Sequence, residues 1–318
     1  MLTGYIGTYD TATTKGIYSF SFDESTGELS NIKSFVSAND AKCVTAFGKR
    51  LVITTSKNNK SGIALIDQTT QSILDEILLE DKSPCFVMHD KGLIYTANYH
   101  DGVVMVYKII NDKLHLEKRI DIQQKAGCHQ VVIYQNYIIV PCLLLDEVRI
   151  FDISKNYALV KTLTFPAGTG PRHGVFNKDY SHFYLVSELS SEFFDFKITG
   201  DLEFTLVHKL ELLASDKLSG TSSAAIRITK DDNFIYISTR GADLLSVIDL
   251  RSTPELIQQT SCGGIHPRDF LLSNDEKYLL VVNKDTDDII SFNLDKNSGK
   301  ITTLINKESI PHGVGISL

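Results

Sequence analysis

The sequence has no tryptophan, only three methionines and seven prolines, and no apolar run near the roughly 18 residues that a membrane span requires. Its longest apolar stretches are the length of strands. The five cysteines, Cys43, Cys85, Cys128, Cys142 and Cys262, are odd in number and show neither C-x-x-C pairing nor any other zinc-ligand spacing. They read as reduced, mostly buried filler, since free cysteine is among the most buried residue types. A net charge of -7 and a pI near 5.7 argue against the broad basic face that nucleic-acid phosphates demand. The opening residues, MLTGYIGTYD, lack the basic start and apolar core of a signal peptide. A cytoplasmic location is therefore expected, with neither nucleic acid nor membrane as a partner. Phosphate loops of the G-x-x-x-x-G-K-[ST] kind, the G-x-S-x-G elbow and the H-E-x-x-H pair are all missing. The run G-T-G-P-R-H-G at 168–174 has the wrong spacing for a dinucleotide fingerprint and precedes a strand rather than a helix.

What the chain does contain is a repeat. Cys43, Cys85, His129, Arg172, Ser223, Arg268 and His312 each open a short apolar strand, at intervals of 42 to 51 residues. A turn and a second apolar strand follow each time, as in GLIYTANY, NYIIVPC, HFYLVSE, NFIYISTRG and KYLLVVNK. Units of about 40 to 50 residues with four short strands each mark a β-propeller, because no single unit can bury its own apolar faces. Seven openings predict an all-β, seven-bladed propeller in one domain spanning residues 1–318. The segment 209–219, in the longest unit, reads as an insertion loop with room for one helical turn. The C-terminal PHGVGISL supplies only a first strand, and the N-terminus begins directly with a second. The two ends are expected to share the seventh blade and close the ring, which removes exposed sheet edges. A monomer or weak homodimer is expected.

In a propeller the first strand of each blade lines the central channel and the second runs antiparallel beside it. The start of the first and the end of the second then share one face. Aligned second-strand ends fall at Tyr9, Ser56, Asn98, Cys142, Glu188, Arg240 and Lys284. One mouth of the channel should thus gather His129, Arg172, Arg268, His312, Arg240 and Lys284, with His173 adjacent and Glu188 as the lone carboxylate. Such a group of cations needs an anion among them, and arginine binds planar carboxylate or phosphate with two hydrogen bonds. A small anionic substrate is the expected partner. Glu188 or His129 can serve as the base toward water, and the residue types alone leave that choice open. Asn98, Arg268, Lys284, His312 and His173 are candidate substrate-binding residues.

Several of these stretches carry a family resemblance. GTGPRHGVF with FYLVSEL, and with them YIGTY, GCHQVVI, VPCLLLDEVRIF, SAAIRIT, STRG and HPRDFLLS, resemble the seven-bladed lactonase family across essentially the whole chain. Its members include propeller-type 6-phosphogluconolactonases and a fungal branch of carboxymuconate cyclases. The resemblance implies hydrolysis of 6-phosphogluconolactone in the pentose phosphate pathway, without metal or organic cofactor. It also implies that His129, Arg172, Glu188 and Arg240 are the catalytic residues.

Overall fold

Strands rich in Val, Ile, Phe and Tyr, broken by Asp, Asn and Gly turns, can be stable only when stacked. The computed structural model, which describes residues 1–12, 14–200 and 202–318, stacks them as seven four-stranded antiparallel sheets around a channel. We number these blades from the first complete one. Blade 1 comprises Val44–Phe47, Arg50–Lys57, Lys60–Asp67 and Ile73–Glu80, and blade 2 begins at Phe86–Asp90. Blade 3 starts at Val132–Tyr134, blade 4 at Pro171–Phe176, blade 5 at Ser222–Ile228 and blade 6 at Pro267–Leu272. In blade 7 the innermost strand is Gly313–Ser317, and Leu2–Thr8, Ile17–Phe22 and Leu29–Val36 complete the sheet. The ring is therefore closed by both ends of the chain, as the repeat predicts.

The apolar core is divided among the junctions. Each of seven clusters joins residues from two neighbouring blades, such as Phe234, Tyr236 and Val247 of blade 5 with Phe270, Leu279 and Ile290 of blade 6. Second strands are accordingly buried on both faces: all seven residues of Phe234–Arg240 are buried. Outermost strands have solvent on one side and alternate, as in Glu203–Glu211. That strand absorbs Lys209 to Glu211 of the expected insertion, and a single 3-10 turn, Ser215–Lys217, follows it.

The innermost strands form the inner edge of each sheet, where proline is tolerated because no ladder N–H is lost. Pro171 and Pro267 begin two of them, and the ladder slips by one residue immediately afterwards in both. Pro171 pairs with Ser187 and His173 with Val186, which leaves Arg172 as the extra residue of a β-bulge. Arg268 is the extra residue between Pro267 and Asp269 in the same way. Blade 7 has its slip opposite Gly7 and Thr8, so that Val314 holds the corresponding place. Bulges re-aim side chains, and here they bring arginines into the channel wall.

Removing residues 311–318 takes the innermost strand from blade 7, with the buried Val314 and Ile316. The shortened chain should lose its cooperative transition or melt at least about 10 °C lower, as followed by circular dichroism. A melting temperature within a few degrees of the full chain would contradict closure as a stabilising constraint.

Candidate functional site

The bulge arginines and the ends of the second strands of blades 4 and 5 come together at one end of the channel. Glu188 follows the strand His182–Ser187, its backbone N–H bonded to the Gly170 carbonyl at 2.7 Å. Arg172 Nε donates to Glu188 Oε2 at 2.7 Å, and Arg240 Nη2 reaches the same oxygen at 2.9 Å. One carboxylate oxygen thus joins guanidinium groups from blades 4 and 5. Arg172 is 2% exposed and also donates through Nη1 to the Ala224 carbonyl. Arg240 donates through Nε to the Ser222 carbonyl and through Nη2 to the Ser223 carbonyl. Among the described residues, Glu188 Oε1 and Arg240 Nη1 have no protein partner in the site.

Burial alone would push the Glu188 carboxyl up, but Arg172 and Arg240 outweigh it and hold the group below its ordinary range. Glu188 is therefore ionised at neutral pH. Burial lowers the Arg172 guanidinium, and Glu188 opposes that fall. His129 extends the cluster from blade 3. Its Nδ1 lies 3.1 Å from His173 Nε2, which leaves Nε2 as the nitrogen that His173 does not engage. Both imidazoles are driven well below the usual histidine range, first by burial and then by Arg172. At pH 7 they are neutral, so His129 can still accept a proton.

Two connected spaces lie around this cluster. A mouth cavity of about 200 Å³ is lined by Tyr9, Lys42, Tyr99, His129, Glu188, Arg240 and Arg268, among others. A channel cavity of about 350 Å³ is lined by Arg172, His173, Arg227, Asp269 and the first strands of blades 1, 2 and 7. Lys42, Cys85, His129 and Arg268 border both. The Cys43 thiol is pushed up to about 12 and the Cys85 thiol also upward, both chiefly by burial. Neither is a thiolate nucleophile at neutral pH. No group of three or more His, Cys, Asp or Glu among the described residues is arranged to hold a metal ion.

Three expected binding residues lie elsewhere, and register explains two of them. Asn98 pairs with Val103 just as Asn283 pairs with Asp288, so the counterpart of Glu188 in blade 2 is Tyr99, not Asn98. Asn98 is fully buried and donates to Glu80 at 2.7 Å and to the Lys82 carbonyl at 2.6 Å. Its role there is to tie blade 2 to the last strand of blade 1 and to the loop between them. His312 lies two residues ahead of Val314 and so corresponds to His266 and Gly170 rather than to Arg172. It has a positive φ, pairs with Asp287 at 3.1 Å and borders neither cavity. Lys284 is in the same register as Glu188, but its ammonium pairs with Asp285 at 2.9 Å outside both cavities. Conversely, Lys42, Tyr9 and Tyr99 line the mouth without having been singled out as binding residues. A one-residue shift from Asn98 finds Tyr99; Lys42 precedes its strand, where the repeat has no diagnostic residue.

The family described as Lactonase, 7-bladed beta-propeller matches residues 3–318. A 6-phosphogluconolactonase of Bacillus subtilis (strain 168) is 28% identical, with 98% of this chain and 96% of that protein aligned. A crystal structure of a Lactobacillus plantarum protein superposes with a TM-score of 0.92 at 29% identity, covering 99% of this chain and 98% of that one. The Pseudomonas aeruginosa periplasmic gluconolactonase PpgL shares the fold, with a TM-score of 0.83 at 19% identity over 99% of this chain and 98% of that one.

Replacing Glu188 with Gln leaves two buried guanidiniums without a counter-ion. The change should destabilise the protein by roughly 3 kcal/mol, measured by urea unfolding at pH 7. A loss below about 1 kcal/mol, the range of an exposed pair, would contradict the shared-carboxylate arrangement.

Proposed function

This chain belongs to the seven-bladed β-propeller lactonase family, and from the geometry of its mouth we propose that it hydrolyses a phosphorylated sugar δ-lactone, 6-phosphogluconolactone, to the hydroxy acid. The observation that carries this reading is the single oxygen of Glu188 shared by Arg172 and Arg240, beside a neutral His129. The Bacillus relative's name, 6-phosphogluconolactonase, supports the choice of substrate, and we assign the reaction to the pentose phosphate pathway in the cytoplasm.

Hydrolysis requires a bond from a water oxygen to the lactone carbonyl carbon, a place for the negative charge that develops, and a proton for the departing ring oxygen. Glu188 Oε1, free of protein partners, orients the water. His129 Nε2 accepts the water proton and returns it to the ring oxygen as the C–O bond breaks. Arg240 takes the oxyanion, because Nη1 is unoccupied and its side chain borders the mouth cavity. Arg172 borders only the deeper channel and has Nε and Nη1 engaged, so it acts by holding Glu188. A neutral histidine among arginines is a weak base in the empty site. An anionic substrate offsets the field of Arg172 and Arg268 and raises its basicity when the proton must move.

Replacing Arg240 with Gln removes the oxyanion donor while keeping a polar side chain. The kcat for 6-phosphogluconolactone, corrected for spontaneous hydrolysis, should fall roughly 10²- to 10³-fold. A kcat within threefold of the parent would remove Arg240 from that role.

The pH profile follows from the direction of the His129 shift. Folding lowers its pKa, so the neutral, basic form survives at pH values where an ordinary histidine is protonated. The acid limb of kcat/KM, which reports the free enzyme, should lie below pH 6.5, and the limb of kcat should lie at higher pH than that. A kcat/KM limb at or above 6.5 would contradict the assignment of His129 as base.

A further inference from the structure

The charges of the mouth are distributed unevenly. Glu188 engages the two guanidiniums of blades 4 and 5, and Asp269 is occupied by Arg227 at 2.8 Å. On the other arc of the ring, Arg268 and Lys42 have no carboxylate partner among the described residues, yet both border the mouth and channel cavities. Resting on the lactonase reading, we propose that Arg268 and Lys42 form a separate anion subsite that takes the dianionic phosphoryl group of the substrate.

Arg268 is held in an unusual manner. Its guanidinium carbon stands 5.3 Å above the centroid of the Tyr9 ring. Stacking of this kind fixes the plane of the group without consuming an N–H donor. The fork is thus oriented and unspent, which is the arrangement that recognises a phosphoryl group through two parallel hydrogen bonds. The bulge after Pro267 sets its direction.

Lys42 faces it from the entry to blade 1. Its Nζ has one protein acceptor, the Ser83 carbonyl at 3.3 Å, and so has donors to spare. Its backbone is pressed against blade 7: a Cβ at Gly7 would come within 2.6 Å of the Lys42 carbonyl, and one at Gly315 within 2.7 Å. Two glycines therefore permit the close approach that fixes where the lysine stem begins. Ser83, Tyr9, Tyr99 and Cys85 line the same mouth, and its carboxylate, Glu188, is paired with Arg172 and Arg240.

The charge balance selects the class of ligand. With His129 and His173 neutral, Glu188 offsets only one of Lys42, Arg172, Arg240 and Arg268. A monoanion would leave the remaining excess largely unmatched. A phosphate monoester is close to a dianion at pH 7 and offers three acceptor oxygens. Its position beside Arg268 and Lys42 leaves the lactone carbonyl for Arg240.

The test uses the full chain with Lys42→Gln and Arg268→Gln, and with Lys42→Arg as the charge-preserving control. Inorganic phosphate binding is measured by calorimetry at low, fixed ionic strength, and kcat/KM is measured for 6-phosphogluconolactone and for unphosphorylated gluconolactone. Each Gln variant should weaken phosphate binding at least about 10-fold and lower the phosphorylated-to-unphosphorylated selectivity ratio roughly 10- to 100-fold. Lys42→Arg should recover most of that ratio. Unchanged phosphate affinity and an unchanged ratio would overturn the subsite while lactone hydrolysis stood. If neither lactone were hydrolysed but phosphate binding still depended on Lys42 and Arg268, the lactonase reading would fail and the subsite would remain.

Discussion

A carboxylate oxygen shared by two buried guanidiniums is the interaction on which the site depends. Arg172 and Arg240 could not both be buried at the channel wall without Glu188, because isolated charges in such surroundings carry a large desolvation cost. The sharing also determines what each group can do. Oε2 is saturated and Oε1 is not, so in the proposed reaction the same residue serves as both counter-ion and water ligand. Holding Glu188 ionised weakens it as a base, which is why the proposed mechanism gives proton transfer to the neutral His129.

Architecture supplies the precision that this arrangement needs. Each blade-to-blade junction is an apolar cluster of its own, so the position of every inner strand is fixed from both sides. The bulges after Pro171 and Pro267 then place an arginine where a regular ladder would have alternated it away. Chemistry and fold meet at that irregularity. A net acidic protein can carry a cationic channel because Arg172, Arg240, Arg268 and Lys42 line its inner edges while carboxylates such as Asp81 and Glu203 lie exposed on the outside.

Much of this was legible in the residues. The period of the repeat was enough for the seven blades and for closure by both termini, since strand spacing and turn residues are local properties. The gathering of Arg172, Glu188 and Arg240 at one end of the channel was legible too, because it follows from which strand ends share a face; the bulge that aims Arg172 was not. Less visible were departures from regular register. Asn98 differs by one position from its functional counterpart, Tyr99, and His312 precedes the bulge residue Val314 by two. A period averaged over seven units cannot show a single-residue slip, which depends on local hydrogen bonding. Lys284 shows a second limit: its position is equivalent to Glu188, but its ammonium is taken up by the adjacent Asp285. Lys42 carries no signal in the repeat, because what fixes its backbone is the absence of side chains at Gly7 and Gly315, far away in sequence.

The central claim is a division of labour across the mouth, with the reacting carbonyl on the arc of His129, Glu188 and Arg240 and the anionic handle on the arc of Arg268 and Lys42. A crystal structure of the full chain soaked with 6-phosphogluconate tests it most directly. The expected density places the product carboxylate at Arg240 and His129 and the phosphoryl group between Arg268 and Lys42. Phosphoryl density beside Lys284 and His312, or product bound with the two ends reversed, would contradict it.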